Sequence, residues 1–140
     1  MWIDTHCHLD ADEFEADRDA VVERARASGV DMLVIPTGHV ADYAKAAAIA
    51  QRYGFAYAVG VHPLWIEGAD EDDVERLREI VQTARSDRHF VAIGEIGIDC
   101  FEPGDVTRQE WFFHEQLRVA RDNDLPVIVH AARCRLQRAR

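Results

Sequence analysis

The chain has 140 residues, 48% of them hydrophobic, and a formal net charge of −10. That length allows one domain or less, with enough apolar content for a core. The acidic balance excludes a broad basic surface for nucleic acid, and no stretch reaches the ~18–20 apolar residues of a membrane span.

Five short apolar runs recur along the chain: Trp2–Asp4, Met32–Pro36, Phe55–Val59, Phe90–Ile93 and Pro126–Val129. Continuous runs of this kind suit strands buried on both faces, as in a parallel sheet. Helical patterns lie between them. Arg18–Ser28 turns Val21, Val22 and Ala25 inward and stops at Gly29. The alanine-rich segment Asp42–Tyr53 stops at Gly54, and Asp72–Arg85 sets Val74, Leu77, Val81 and Ala84 on one stripe. A fourth helix is expected to open at Thr107 with Glu110 as a capping box and to run to about Asp122. Alternating strands and helices define βαβ units. Their step of about 31 residues, taken eight times, gives the ~250 residues of a (β/α)8 barrel. The fold expected is therefore α/β, either a complete five-stranded open sheet or a partial TIM (β/α)8-type barrel of about five βα units.

The acidic and imidazole groups gather at the strand exits. His6 and His8 stand at i and i+2 after the first run, so on extended backbone they face the same way. Two neutral imidazoles side by side make half of a zinc-type site; the alternative is a pair of hydrogen-bonded core histidines. Cys7 lies between them and should face away, as a structural residue. The third run leads into Gly60-Val61-His62-Pro63. A proline holds its predecessor extended, so His62 reads either as a strand end or as a substrate contact. The fourth run leads into Gly94-Glu95-Ile96-Gly97-Ile98-Asp99, where glycines beside Glu95 let the backbone approach a ligand closely. The fifth ends in His130. His39, His89 and His114 read as surface or helix-flank residues. A carboxylate among histidines can bridge two divalent cations, which acidify a shared water into a nucleophile. The mixed N/O donor set favours Zn, Mn, Fe or Co over Mg. Asp4 and Asp99 are placed to orient a ligating imidazole through its other nitrogen. In a flat sheet of order 2-1-3-4-5, the first and fifth strands lie about 14 Å apart. His6 and His130 share one cluster only if the sheet curls, which favours the barrel.

Asp4-Thr5-His6-Cys7-His8-Leu9, Gly60-Val61-His62-Pro63, Gly94-Glu95-Ile96-Gly97-Ile98-Asp99, Gln109 with Gln116-Leu117, and Leu125-Pro126-Val127-Ile128-Val129-His130 together resemble the TatD family of metal-dependent hydrolases. The likeness covers residues 1–130, which read as the N-terminal part of such a barrel. It implies a TIM barrel with two divalent metals (Zn, Mn, Co or Mg) and hydrolysis of phosphoester bonds in DNA. By residue, it implies metal ligation by His6, His8, Glu95 and His130. Glu95 bridges the two ions as the catalytic carboxylate, and His62 contacts the substrate phosphate. The family carries one further histidine and a late aspartate that have no counterpart here. Ala132 stands where the family tends to have arginine, with Arg133 adjacent.

Residues 131–140 are an atypical arginine-rich tail with Arg133, Arg135, Arg138 and Arg140 and no acid. A truncated or frame-shifted copy is therefore expected, with exposed strand edges and a tendency to aggregate. Two alternatives to a DNase remain: a non-catalytic metal-binding remnant, and a hydrolase of another ester such as aminoacyl-tRNA. A flavodoxin-like module would need a phosphate-cradling loop after the first strand, but His8-Leu9-Asp10-Ala11-Asp12 is acidic and lacks glycine. Cys7, Cys100 and Cys134 form no disulfide pattern and no secretory leader is seen, so a cytoplasmic protein without an obligate protein partner is expected.

Overall fold

Strand and helix alternate from the first residues, as the run pattern requires. The structure, a computed structural model, describes residues 1–101 and 104–133. The order is β1 (Trp2–Asp4), α1 (Arg18–Ala27), β2 (Val30–Pro36), α2 (Tyr43–Tyr53), β3 (Ala56–Val59), α3 (Glu71–Ala84), β4 (Phe90–Asp99), α4 (Val106–Asp122) and β5 (Val127–Ala132). Single 3₁₀ turns follow β1, β2 and β3, at Asp12–Phe14, Val40–Asp42 and Pro63–Trp65. Most of the arginine-rich tail, residues 134–140, lies outside the described residues.

The five strands form one parallel sheet in the order β1-β2-β3-β4-β5. Sequential order is what a barrel wall requires; an open doubly wound sheet reverses direction at a switch point. Four strand spacings separate β1 from β5, about 19 Å if the sheet were flat. Yet His6, just beyond β1, and His130, on β5, each lie within hydrogen-bonding distance of one carboxylate, at 2.9 Å and 2.8 Å. The sheet is therefore curled into an arc, a partial barrel.

The core is continuous and built from both layers. Ile35, Tyr57, Val59, Ile93 and Ile96 of the strands pack with Val22, Ala46, Ala50, Leu77, Val81, Phe112 and Val119 of the helices. β3 is buried along all four residues, as expected of a strand covered on both faces. The two outer strands are not covered: Trp2 and Ile3 on β1, and Val127 and Val129 on β5, are exposed. No described helix is long and apolar enough to cross a membrane.

The structure shifts several boundaries by a residue or two (β2 begins at Val30, not Met32), and three departures have a physical reason or consequence. β4 extends to Asp99 rather than stopping at Ile93, so Glu95 lies inside a strand and not in an exit loop. The reason is close approach to β5: a Cβ at Gly97 would meet the His130 carbonyl oxygen at 1.9 Å, and one at Gly94 the Ile128 Cβ at 2.7 Å. Both glycines have positive φ (150° and 156°), so each is required twice over. α4 begins at Val106, with Asp105 as its cap accepting from the Arg108 N–H (3.1 Å), not with Thr107. β5 continues through Ala132, two residues into the segment read as tail.

Candidate metal centre

The side chains of the centre come from four pieces of the arc: His6 and His8 after β1, His62 after β3, Glu95 on β4 and His130 on β5. After β1, the Cys7 N–H donates to the Val34 carbonyl (3.0 Å), which keeps this segment alongside β2. Cys7 turns into the core and the two flanking rings turn outward together, with centroids 5.0 Å apart. Asp4 Oδ1 accepts from the backbone N–H of His6 (3.1 Å), fixing the turn that presents the ring. Thr37 at the end of β2 exchanges two hydrogen bonds of 3.1 Å with Gly60, tying the β2 and β3 exits together.

Glu95 is the hub. Its Oε2 lies 2.9 Å from His6 Nε2, 3.5 Å from His8 Nε2 and 3.6 Å from His62 Nε2, and its Oε1 lies 2.8 Å from His130 Nδ1. The histidines also meet in pairs: His6 Nε2 to His8 Nε2 at 3.2 Å, and His62 Nε2 to His130 Nδ1 at 3.1 Å. Two sets of three donor groups result, His6–His8–Glu95 and His62–Glu95–His130, with Glu95 common to both. Burial of Glu95 opposes its charge, but hydrogen bonding to His62, His8 and His130 prevails and holds its carboxyl far below the usual range. In return, its hydrogen bond to Glu95 raises the pKa of His8 above the ordinary 6.5, against partial burial and with help from the charges of Asp10 and Glu95 and the Pro36 carbonyl.

The backbone decides the tautomer of His62. The Leu64 N–H donates to His62 Nδ1 (3.1 Å), capping the 3₁₀ turn, so the proton of the neutral ring sits on Nε2 and points into the cluster. His62 is thereby a hydrogen-bond donor to whatever enters. His130 is the reverse. Its Nε2 faces the Asp99 carboxylate at 2.8 Å and carries the proton there, which leaves the Nδ1 lone pair beside Glu95 and His62. The rings of His6 and His8 thus converge with Glu95 Oε2 on one small volume, and the His130 Nδ1 lone pair with Glu95 Oε1 on a second, at which the His62 Nε2–H is directed. Lone pairs brought this close repel unless a proton or cation lies between them, so the donor set fits a divalent cation of the N/O-preferring kind.

Three supporting side chains were given no role in the sequence, although Gln109 and Gln116 stand among the motifs that carry the resemblance. Gln116 accepts from the Val61 N–H (2.7 Å) and donates to the Val61 carbonyl (3.0 Å), while Gln109 accepts from the Asp99 N–H (2.7 Å). Both amides are buried and stand seven residues apart on one face of α4, a spacing that could have marked them. Arg108 donates to the Ile66 and Ala69 carbonyls at 3.2 and 2.6 Å, anchoring the loop after His62. His39 and His89 lie outside the cluster; His39 caps the Val40–Asp42 turn and lies 3.3 Å from Asp73, and His89 Nδ1 lies 2.6 Å from the Phe55 carbonyl.

A curled parallel sheet bearing a histidine–carboxylate cluster at its strand ends is the architecture of the metal-dependent hydrolase barrels. Comparison with known proteins narrows the class. The sequence profile of TatD-related DNases matches residues 3–139, and the chain belongs to that family. It is 37% identical to the metal-dependent hydrolase YjjV of Escherichia coli K12 over 134 residues, 94% of this chain and 51% of that protein. It is 36% identical to the 3′-5′ ssDNA/RNA exonuclease TatD of Cronobacter turicensis (98% of this chain, 50% of that one) and 32% to human deoxyribonuclease TATDN3 (92% and 51%). The crystal structure of Escherichia coli YjjV superimposes with a TM-score of 0.86 at 38% identity, over 94% of this chain and 51% of that one. The chain spans about half the length of the curated relatives it matches.

Proposed function

We propose that this chain provides the ligand-bearing half of a metal-dependent phosphoesterase of TatD type, acting on DNA. The observation that carries the reading is Glu95: one buried carboxylate shared by four imidazoles drawn from three separate segments of the chain. His6 and His8 would hold one cation and His130, with Asp99 behind it, a second, with Glu95 common to both sets. Bound there, such cations would supply charge that offsets the phosphate and acidifies a water. Glu95 keeps both positions in register, and its lowered pKa keeps it ionised at neutral pH. His62 donates from Nε2 to a phosphate oxygen, a role its backbone-fixed tautomer suits better than ligation. Single-stranded DNA is the first substrate to try, because relatives bear exonuclease and deoxyribonuclease names.

The test is release of nucleotides from single-stranded DNA with and without Mn²⁺. His6→Ala and Glu95→Ala should each lower the rate at least about 100-fold, exceeding the ~10–100-fold loss from removing a ligand's outer partner. Equal cleavage by wild type and both variants would sink the assignment. Two bound ions without turnover would instead favour a metal-binding element that lacks catalysis.

A further inference from the structure

A cleft of about 410 Å³ opens beside the cluster, and none of the roles above uses it. Its size is that of a small-ligand site. His8 lines it, so an occupant touches the centre directly. Trp65 also lines it and is 53% exposed. The indole meets the His62 ring edge to face at 5.2 Å and lies against the bare backbone of Gly38. Arg108 anchors the loop that carries it. Asp10, another lining residue, is only 8% exposed, yet its Oδ1 has no hydrogen-bond partner. Buried acceptors ordinarily have one. The cleft therefore presents an aromatic face and an acceptor that lacks its donor.

We propose that this cleft is a nucleoside subsite. The base stacks on Trp65, and Asp10 and Asp42 accept hydrogen bonds from amino groups of the base or hydroxyls of the sugar. The cleft's charge selects that part of a nucleotide: Asp10, Asp12, Glu13 and Asp42 line it against Lys45 alone, and Lys45 is paired with Asp12 at 2.5 Å. A phosphate is repelled from such walls and is left to the adjacent cations. The inference rests on the proposed function, because it takes the phosphate to lie at the metal centre.

The test is calorimetric titration of the Mn²⁺-loaded chain with deoxyadenosine 5′-monophosphate and, separately, with inorganic phosphate. Trp65→Leu should weaken the nucleotide about tenfold or more, as loss of a stacked base does, and leave inorganic phosphate within about threefold. Trp65→Phe keeps a stacking face and should restore most of the nucleotide affinity. Unchanged nucleotide affinity in Trp65→Leu overturns the subsite and leaves the proposed function standing. Equal weakening of both ligands also overturns it, since Trp65 would then act only by shaping the centre. Failure of the wild type to bind either ligand removes the proposed function and the subsite together.

Discussion

His8 and Glu95 titrate against each other, and the direction of each shift determines how the metal-free chain responds to pH. The folded pKa of Glu95 lies below its ordinary 4.5, so its stabilisation is present above that pH and lost as pH falls. The pKa of His8 lies above 6.5, so its stabilisation is full below that pH and fades as pH rises through the raised value. The pair helps the metal-free fold most between these two values. Ligation runs the other way, because a metal needs the unprotonated imidazole. Chelator-treated protein should therefore melt higher at pH 6 than at pH 8, and added Mn²⁺ should raise the melting temperature more at pH 8. Thermal unfolding followed by circular dichroism reads both. Asp99 acts one bond further out, through His130 Nε2. Asp99→Asn keeps the shape but removes the charge, and calorimetry should find Mn²⁺ affinity reduced ~10–100-fold.

The elements were legible where apolar period and punctuation agreed. All four helices lie within two residues of their expected bounds, and Gly29 and Gly54 end α1 and α2 with positive φ as helix-terminating glycines do. β4 was read short because the apolar run breaks at Gly94-Glu95, and charge beside glycine looks like a loop. The contact that makes those glycines strand residues is with β5, more than 30 positions away, and no local pattern reports it. That contact supplies the prediction at this scale. Gly97→Ala must displace the His130 backbone or abandon its φ of 150°, and it should cost at least about 2 kcal/mol in chemical denaturation. The start of α4 was misread by the same kind of competition. Thr107 and Glu110 form a capping-box pattern, but Asp105 reaches the Arg108 N–H first.

Across the whole molecule, strand order and curl followed from the centre itself. Candidate ligands just past the first strand and on the fourth and fifth demand an arc, and the arc is present. Less legible was the role of Gln109 and Gln116 in holding the arc in shape: both stand in the family motifs, but the backbone atoms their buried amides bond carry no sequence signal. The curl also has a mechanical consequence. Among the described residues β1 and β5 are the two outermost strands, each paired with one neighbour, yet His6, just past β1, and His130, on β5, approach the same carboxylate. A pair of ions seated there would fasten the two free margins of the sheet to its middle, and would close a loop running from residue 6 to residue 130. Closure of that length limits the freedom of the unfolded chain much as a cross-link does. Stripping the ions with EDTA should therefore loosen both margins together. Amide hydrogen exchange should quicken in step at Ile3 and Val129, while the amides of β3, enclosed between neighbours, keep their protection.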